Sequence, residues 1–389
     1  MRRPAFILGV AGLLASVILF GAWLLSQQGQ CQLVWEKPTI KKFIQTFAYK
    51  VYGNSGLENG RYFMSKMVFR NTGNKPVRDF SVSYQIPGYI DWTTPETLTQ
   101  IPPGHTIIKC FYPEFPMKVT EIKNVTPSAL EIKIHWNDGN GPTHEEVVRG
   151  EFSFRGVNEF EYTDLPANEV VNFYDYFVNS KLLAAMVMPN DPVVAEYAAA
   201  LTEKLGGAVA GANAAERIEV MRGLYEYMIE TGMHYAGGMG LPEKIGDAVT
   251  IVQTVRLPRD VILSNSGLCI GLTLLWASVL EHLGIESYVF LIPGHAFIVV
   301  PIDQESKYLP IECTAITPKA VGSNGPVPFL RAHQMADGDF RKALDAHTYI
   351  AIDPHRRQIE GFQPPELPEI NIDQVKHIIA DRSHRSTKK

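Results

Sequence analysis

The stretch that decides the fold runs from Ser266 to Thr314: SGLCIGLTLLWASVLEHLG over 266–284, IESYVFLIPGHAFIVV over 285–300, and YLPIECT over 308–314. Cys269 follows Ser266-Gly267 and opens an apolar run, Ile270 to Leu283, which Gly284 closes. Small residues before such a run and a glycine after it are helix start and stop signals. The run is apolar around most of its circumference, so the helix is expected to be buried on several sides. A thiol in its first turn lies among unpaired backbone N–H groups at the positive end of the helix dipole. Both favour the thiolate, which is the nucleophilic form.

Two strands follow, Tyr288 to Ile292 and His295 to Val300, separated by Pro293-Gly294. Asp303-Gln304-Glu305-Ser306 has turn composition, and Tyr308 to Thr314 reads as a third strand. An antiparallel register that sets Val300 opposite Lys307 also sets His295 directly opposite Glu312, with Cβ atoms about 4.5–5.5 Å apart. Cys313 then points to the other sheet face, because side chains alternate along a strand. This register brings a thiol, an imidazole and a carboxylate together as nucleophile, base and orienting group.

Gly267-x-Cys269, the apolar helix ending in Leu283-Gly284-Ile285, Pro293-Gly294-His295-Ala296-Phe297 and Glu312-x-Thr314 together resemble the core of the transglutaminase-like superfamily, which has a papain-like Cys-His-Asp fold. The resemblance implies catalytic roles for Cys269, His295 and Glu312. It covers roughly residues 175–320 and is carried by motifs within 251–314. The chain departs from the family in having Glu312 where Asp is usual, and in the less polar Ile270-Gly271 after the cysteine.

Ahead of the cysteine, Gln253 in QTVRLPRD is a candidate oxyanion or substrate-binding group, against the plainer reading of a polar loop residue. Gly267, with no Cβ, would let a substrate backbone approach the thiol. Ser264 and Ser266 do not occupy the helix start, and Asp303 and Asp353 are the alternative acids to Glu312. Histidines elsewhere show no HExxH or comparable spacing, so neither a metal nor another cofactor is expected.

Residues 1–30 are expected to form a transmembrane signal anchor, with a cleaved signal peptide as the alternative. Pro4 to Leu25 contains no charged residue, and Arg2-Arg3 precede it. Twenty-two residues at about 1.5 Å each match a hydrocarbon core of about 30 Å. The positive-inside rule then makes the protein membrane-anchored and extracytoplasmic, periplasmic in a Gram-negative cell. Residues 35–165 read as an immunoglobulin-like β-sandwich. Short strands are expected at Tyr62–Arg70, Phe80–Ile86, Thr106–Tyr112, Ala129–Trp136 and Glu145–Phe154. Residues 166–368 carry the transglutaminase-like domain. It includes a helix from Pro192 to Leu205 capped by Asp191 and another from Ala214 to Thr231. Within its last part, Ala343 to Asp353 holds a candidate strand and His355-Arg356-Arg357 reads as a solvated turn. Residues 369–389 form a polar tail.

The expected fold class is therefore α+β: a transmembrane helix, a sandwich, and a papain-like domain. A net charge of −5 without a basic cluster before the extreme C-terminus argues against a nucleic-acid partner. Four cysteines, Cys31, Cys110, Cys269 and Cys313, show no zinc spacing, and a Cys31–Cys110 disulfide is the one candidate pairing. Two functions stand at this point. One is a cysteine enzyme acting on a carboxamide or peptide bond of a protein or peptide substrate. The other is a non-catalytic, membrane-anchored scaffold of the cell envelope that keeps the fold for binding.

Overall fold

The computed structural model describes residues 31–138, 141–207, 213–238, 240–243, 251–303, 307–317, 319, 322–325 and 327–386. The apolar run after Cys269 folds as a helix over Cys269–His282, with every residue from Cys269 to Leu280 buried. Gly284 follows at φ +73, a left-handed conformation that glycine adopts without the Cβ clash of other residues.

This helix lies against a four-stranded antiparallel sheet. Its strands are ordered Tyr308–Ile311, His295–Pro301, Tyr288–Ile292 and Ile350–Ile352. Val289, Leu291, Ala296, Ile298 and Val300 join the core that contains the cysteine helix. Phe290, Phe297 and Val299 face the opposite way and pack with Ala336, Phe340 and Ala343 of a helix over Phe329–Ala346. Both sheet faces are covered, which is why the two central strands read as unbroken apolar runs.

The described chain divides into two units. One gathers the residues up to Lys42, Phe63–Pro113 and Pro127–Ser153. In it, Ser65–Asn71 pairs with Leu33–Trp35, Thr39–Ile40 and Thr106–Phe111. A second sheet runs Thr143–Arg155, Thr126–Asn137, Val77–Gln85, Glu96–Ile101. Along Ser65–Asn71 every second residue is buried, the period of a strand with one face in a core. Aromatic rings join the sheets: Phe69 meets Phe80 at 5.0 Å, Tyr84 meets Phe111 at 5.3 Å and Trp35 meets Trp136 at 5.5 Å between centroids. Two packed sheets make this unit a sandwich.

The other unit holds Phe43–Tyr62, Glu114–Thr126 and Phe154–Lys389, so three stretches of the expected sandwich, residues 43–62, 114–126 and 154–165, belong with the cysteine helix. Pro192–Lys204 and Ala214–Glu230 are helices, capped by the side chains of Asp191 and Asn213. Asp191 does more than cap. Oδ1 accepts from Val193 N at 2.9 Å, while Oδ2 takes Arg259 Nε at 2.7 Å and Nη2 at 2.6 Å, with the carboxylate 1% exposed. Removing one partner of such a buried pair costs about 3–5 kcal/mol. Asp191→Ala should therefore lower the midpoint of thermal unfolding by roughly 6–20 °C. The alkylation rate of Cys269 at 20 °C should not change, because neither Asp191 nor Arg259 hydrogen-bonds to Cys269, His295 or Glu312.

Several expectations are corrected. No helix among the described residues is long and apolar enough to cross a membrane. The most apolar one, Cys269–His282, has 14 residues, about 21 Å of rise against about 30 Å of hydrocarbon. The transmembrane helix expected over Pro4–Leu25 lies outside the described residues, so the fold stands as α+β without it. Cys31 and Cys110 are both free thiols, not a disulfide, and Cys31 Sγ donates to Asp138 Oδ1 at 2.6 Å. The candidate strand in 343–353 shrinks to Ile350–Ile352, because Ala343 still belongs to the helix before it. His355-Arg356-Arg357 lies in a helix, Pro354–Glu360, that Asp353 caps. The tail forms a helix over Ile372–Ser386, anchored to the core by Val375 and Ile379.

Candidate active site

Cys269 is the first residue of its helix. It follows Leu268, whose extended backbone (φ −73, ψ 170) marks the helix boundary and whose side chain makes no capping hydrogen bond. The thiol thus sits where first-turn N–H groups have no side-chain acceptor, the electropositive end of the dipole. One turn on, Thr273 Oγ1 donates to the Cys269 carbonyl at 2.8 Å and fixes that turn. Cys269 is 2% exposed.

His295 begins the strand that follows the Pro293-Gly294 turn, and it pairs with Ile292 across that turn. Gly294 has φ +77, which other residues rarely adopt, and its N–H donates to Pro242 O at 3.2 Å. The ring is therefore presented from a fixed backbone. Its Nε2 donates to Glu312 Oε2 at 2.6 Å. Cys269 is the ring's other hydrogen-bonding partner, which assigns Nδ1 to the thiol.

Glu312 reaches the histidine by a different route from the one expected. In the observed register Val300 faces Leu309 and Ile298 faces Ile311, two residues away from the pairing of Val300 with Lys307. The strand ends at Ile311, and Glu312 caps a short 3-10 turn over Cys313–Ile316 instead of extending the ladder to Thr314. A slip of two leaves each side chain on its own face, so His295 and Glu312 still meet, now as diagonal neighbours. A diagonal reach needs a longer side chain, which gives the glutamate a physical reason. Oε1 accepts from Thr314 N at 2.9 Å and Thr314 Oγ1 at 2.6 Å, so both carboxylate oxygens are held. Cys313 is part of the 3-10 turn and fully buried, so the strand alternation invoked for it does not apply.

These contacts set the charges. Burial works against a protonated His295. Hydrogen bonds to Cys269 and Glu312, with the charges on both, outweigh it and push the imidazole up to about 10. Burial likewise opposes the Glu312 carboxylate, but His295 and Thr314 hold it below the ordinary carboxylate range. The arrangement can carry a proton on the ring beside a sulfur nucleophile. That combination suits attack on a carbonyl followed by protonation of a leaving amine.

Gln253 is 5% exposed, in a short strand over Val252–Thr254 that pairs with Glu159–Glu161. Its Oε1 accepts from Tyr162 OH at 2.8 Å, and Tyr162 feels the charge of Cys269. Gly267 does not face open space. Its carbonyl takes Ala236 N–H at 2.9 Å, and an added Cβ would come within 3.3 Å of Leu272 on the cysteine helix. Its lack of a side chain serves that close approach.

The rival groups are otherwise engaged. Ser264 Oγ donates to Asp260 O at 2.6 Å, and Arg256 Nη1 donates to Ser266 Oγ at 2.8 Å. Asp303 lies 3.1 Å from Lys307 Nζ, and Asp353 caps its helix through Arg356 N at 2.9 Å. Sequence reasoning passed over Tyr162, Tyr225 and Tyr235. Tyr235 lies within electrostatic reach of Cys269 and Glu312, and Tyr225 within reach of Cys313 and Glu312. No spacing links them to the cysteine motif, because each arrives on a different element.

Comparison with protein families and with curated proteins finds no match to this chain. Among solved structures, one match is to a GH3 exo-beta-xylosidase in complex with a xylobiose aziridine activity-based probe. The identity is 14% over 32% of this chain and 17% of the xylosidase chain, with a TM-score of 0.16. The matched region spans under a fifth of that enzyme, and a likeness of that size carries no argument about fold or activity.

Proposed function

We propose that this protein is a cysteine enzyme that opens a carboxamide or peptide bond of a protein or peptide substrate through a thioester acyl-enzyme, resembling the transglutaminase-like superfamily. One observation carries the reading: His295 is held between the Cys269 thiol and the Glu312 carboxylate, the latter at 2.6 Å.

The steps follow from the residues. Cys269 sulfur attacks the carbonyl carbon, and the carbonyl pair moves to oxygen, where the Cys269 backbone N–H is the nearest helix-start donor. The protonated His295 gives its proton to the departing amine as the carbon–nitrogen bond breaks. Neutral His295 then takes a proton from the second nucleophile, water for hydrolysis or an amine for acyl transfer, and the thioester opens to return the thiol. Glu312 keeps the ring oriented throughout and stabilises its charged form.

The test is covalent trapping with an electrophilic amide probe, followed by peptide mapping. The label should fall on Cys269 and be lost in Cys269→Ala. Labelling that persists undiminished in Cys269→Ala, or that reaches Cys269 only after denaturation, would leave a binding module and no enzyme.

A further inference from the structure

Two stretches of chain, residues 235–238 and 240–243, connect the segment that carries Cys269 with the turn that carries His295. We propose that they form a brace setting the thiol against the imidazole, with Gly240 as the positioning residue at its histidine end. The inference rests on the cysteine-enzyme reading and deepens it.

At the cysteine end the brace is tied by backbone. His234–Tyr235 pairs in parallel with Ser266–Gly267, and Ala236 N donates to Gly267 O at 2.9 Å, two residues before the thiol. Tyr235 N donates to Thr317 Oγ1 at 2.7 Å, which holds the same short strand from its other edge. Gly238 lies so near that a Cβ on it would stand 2.9 Å from Leu268 Cδ2, on the residue directly before Cys269.

At the histidine end, Pro242 O accepts from Gly294 N at 3.2 Å, and a Cβ on Gly294 would meet Glu243 Cγ at 3.5 Å. Gly240 comes closer still. A Cβ on it would stand 2.4 Å from Gly294 O. The φ of Gly240 lies outside the left-handed region, so its conformation does not demand glycine and only this approach does. The crowded atom is a backbone carbonyl, not the end of a flexible side chain. It belongs to the residue directly before His295, which is itself held at φ +77. Opening 2.4 Å to the 3.0 Å that a carbon needs moves the turn by about 0.6 Å. A catalytic arrangement tolerates about 0.5 Å. His295 then leaves its place between Cys269 and Glu312, the two titratable groups that act on its ring.

The experiment reads two reactions at the Cys269 sulfur as a function of pH. With p-nitrophenyl acetate, sulfur bonds the carbonyl carbon, p-nitrophenolate leaves with the electron pair of the broken carbon–oxygen bond, and an acetyl thioester remains. With iodoacetamide, sulfur displaces iodide at a rate that follows the thiolate fraction. Gly240→Ala should slow acylation by about 10- to 10²-fold. Its alkylation should fall by about 10-fold at pH 7, because the thiolate loses its cationic partner. Near pH 10 the wild-type ring loses its own proton, so there the two alkylation rates should converge. Pro242→Gly slackens the brace without adding an atom. It should change both rates in the same direction by a smaller factor, and it carries the test if Gly240→Ala does not fold. Gly237→Asn is the control. A Cβ there meets nothing within 4 Å and its φ of +69 suits asparagine, so neither pH profile should move. A loop that merely shields the thiol gives the opposite sign, since loosening it speeds alkylation at every pH, and that result overturns the proposal. So does an unmoved alkylation profile in Gly240→Ala and Pro242→Gly, or an equal loss in Gly237→Asn. If wild type forms no acetyl-enzyme on Cys269, the cysteine-enzyme reading fails, and the alkylation profiles decide the brace by themselves.

Discussion

Glu312→Gln is expected to slow acylation of Cys269 by roughly 10²–10⁴-fold, the scale on which an uncharged amide fails to replace the acid of a catalytic triad. The native carboxylate accepts from His295 Nε2 with one oxygen and from Thr314 N and Oγ1 with the other. A glutamine can satisfy Thr314 with its oxygen, but its N–H₂ then meets the ring, and an N–H facing an N–H forces the wrong tautomer. The pH dependence should move as well. His295 is raised to about 10 by Cys269 and Glu312 together, so the acid that protonates the leaving amine is present below that value and lost as pH rises through it. Without the carboxylate one of the two raising influences is gone, and the alkaline limb of the acylation rate should shift toward neutrality. Glu312→Asp is a second arm: a diagonal reach made one methylene shorter misplaces the carboxylate by about 1 Å, worth on the order of 10²-fold. Acylation near the wild-type rate in Glu312→Gln, with the alkaline limb unmoved, would remove Glu312 from the site while leaving Cys269 and His295 in it.

That the site was legible at all follows from local signals. The cysteine helix shows its start at Ser266-Gly267 and its stop at Gly284, and the Pro293-Gly294 turn places His295 at a strand start. The sandwich strands were readable because turn clusters bracket alternating runs; Ser65–Asn71 and Thr106–Phe111 fall within a few residues of their expected bounds. Register was not readable. The His295 strand is covered on both faces, and a slip of two preserves which residue faces which core, so the pattern cannot discriminate the two pairings. The helix over Phe329–Ala346 escaped notice for another reason. It buries Ala332, Ala336 and Ala343, a stripe too small to register as apolar periodicity among so many charges. Tyr162 and Gln253 stand 91 positions apart and meet only because two short strands pair, a non-local event with no local signature.

The second large effect concerns selectivity among the thiols. Cys269 should be alkylated by iodoacetamide at pH 7 at least about 100-fold faster than Cys313 in the folded, reduced protein, since the thiolate is the reacting form. Cys313 is fully buried, and burial, with Glu312 beside it, pushes its thiol far above the ordinary range. Cys31 is raised to about 12, by burial first and then by its hydrogen bond to Asp138 and that carboxylate's charge. Among the described residues, no positive group acts on either thiol to favour the anion. Cys269 has two, the uncapped first turn of its helix and a His295 that stays protonated well above pH 7. Its 2% exposure works against reaction, so a small neutral reagent is the fair probe and a bulky maleimide is not. His295→Ala removes the cation but leaves the helix, so the advantage over Cys313 should shrink by about 10-fold or more without vanishing. Mass-spectrometric mapping after brief labelling, normalised to each thiol's rate in denaturant, reads both numbers. Equal rates for Cys269 and Cys313 in the folded protein would show that burial dominates both sulfurs and that the helix start and His295 activate neither.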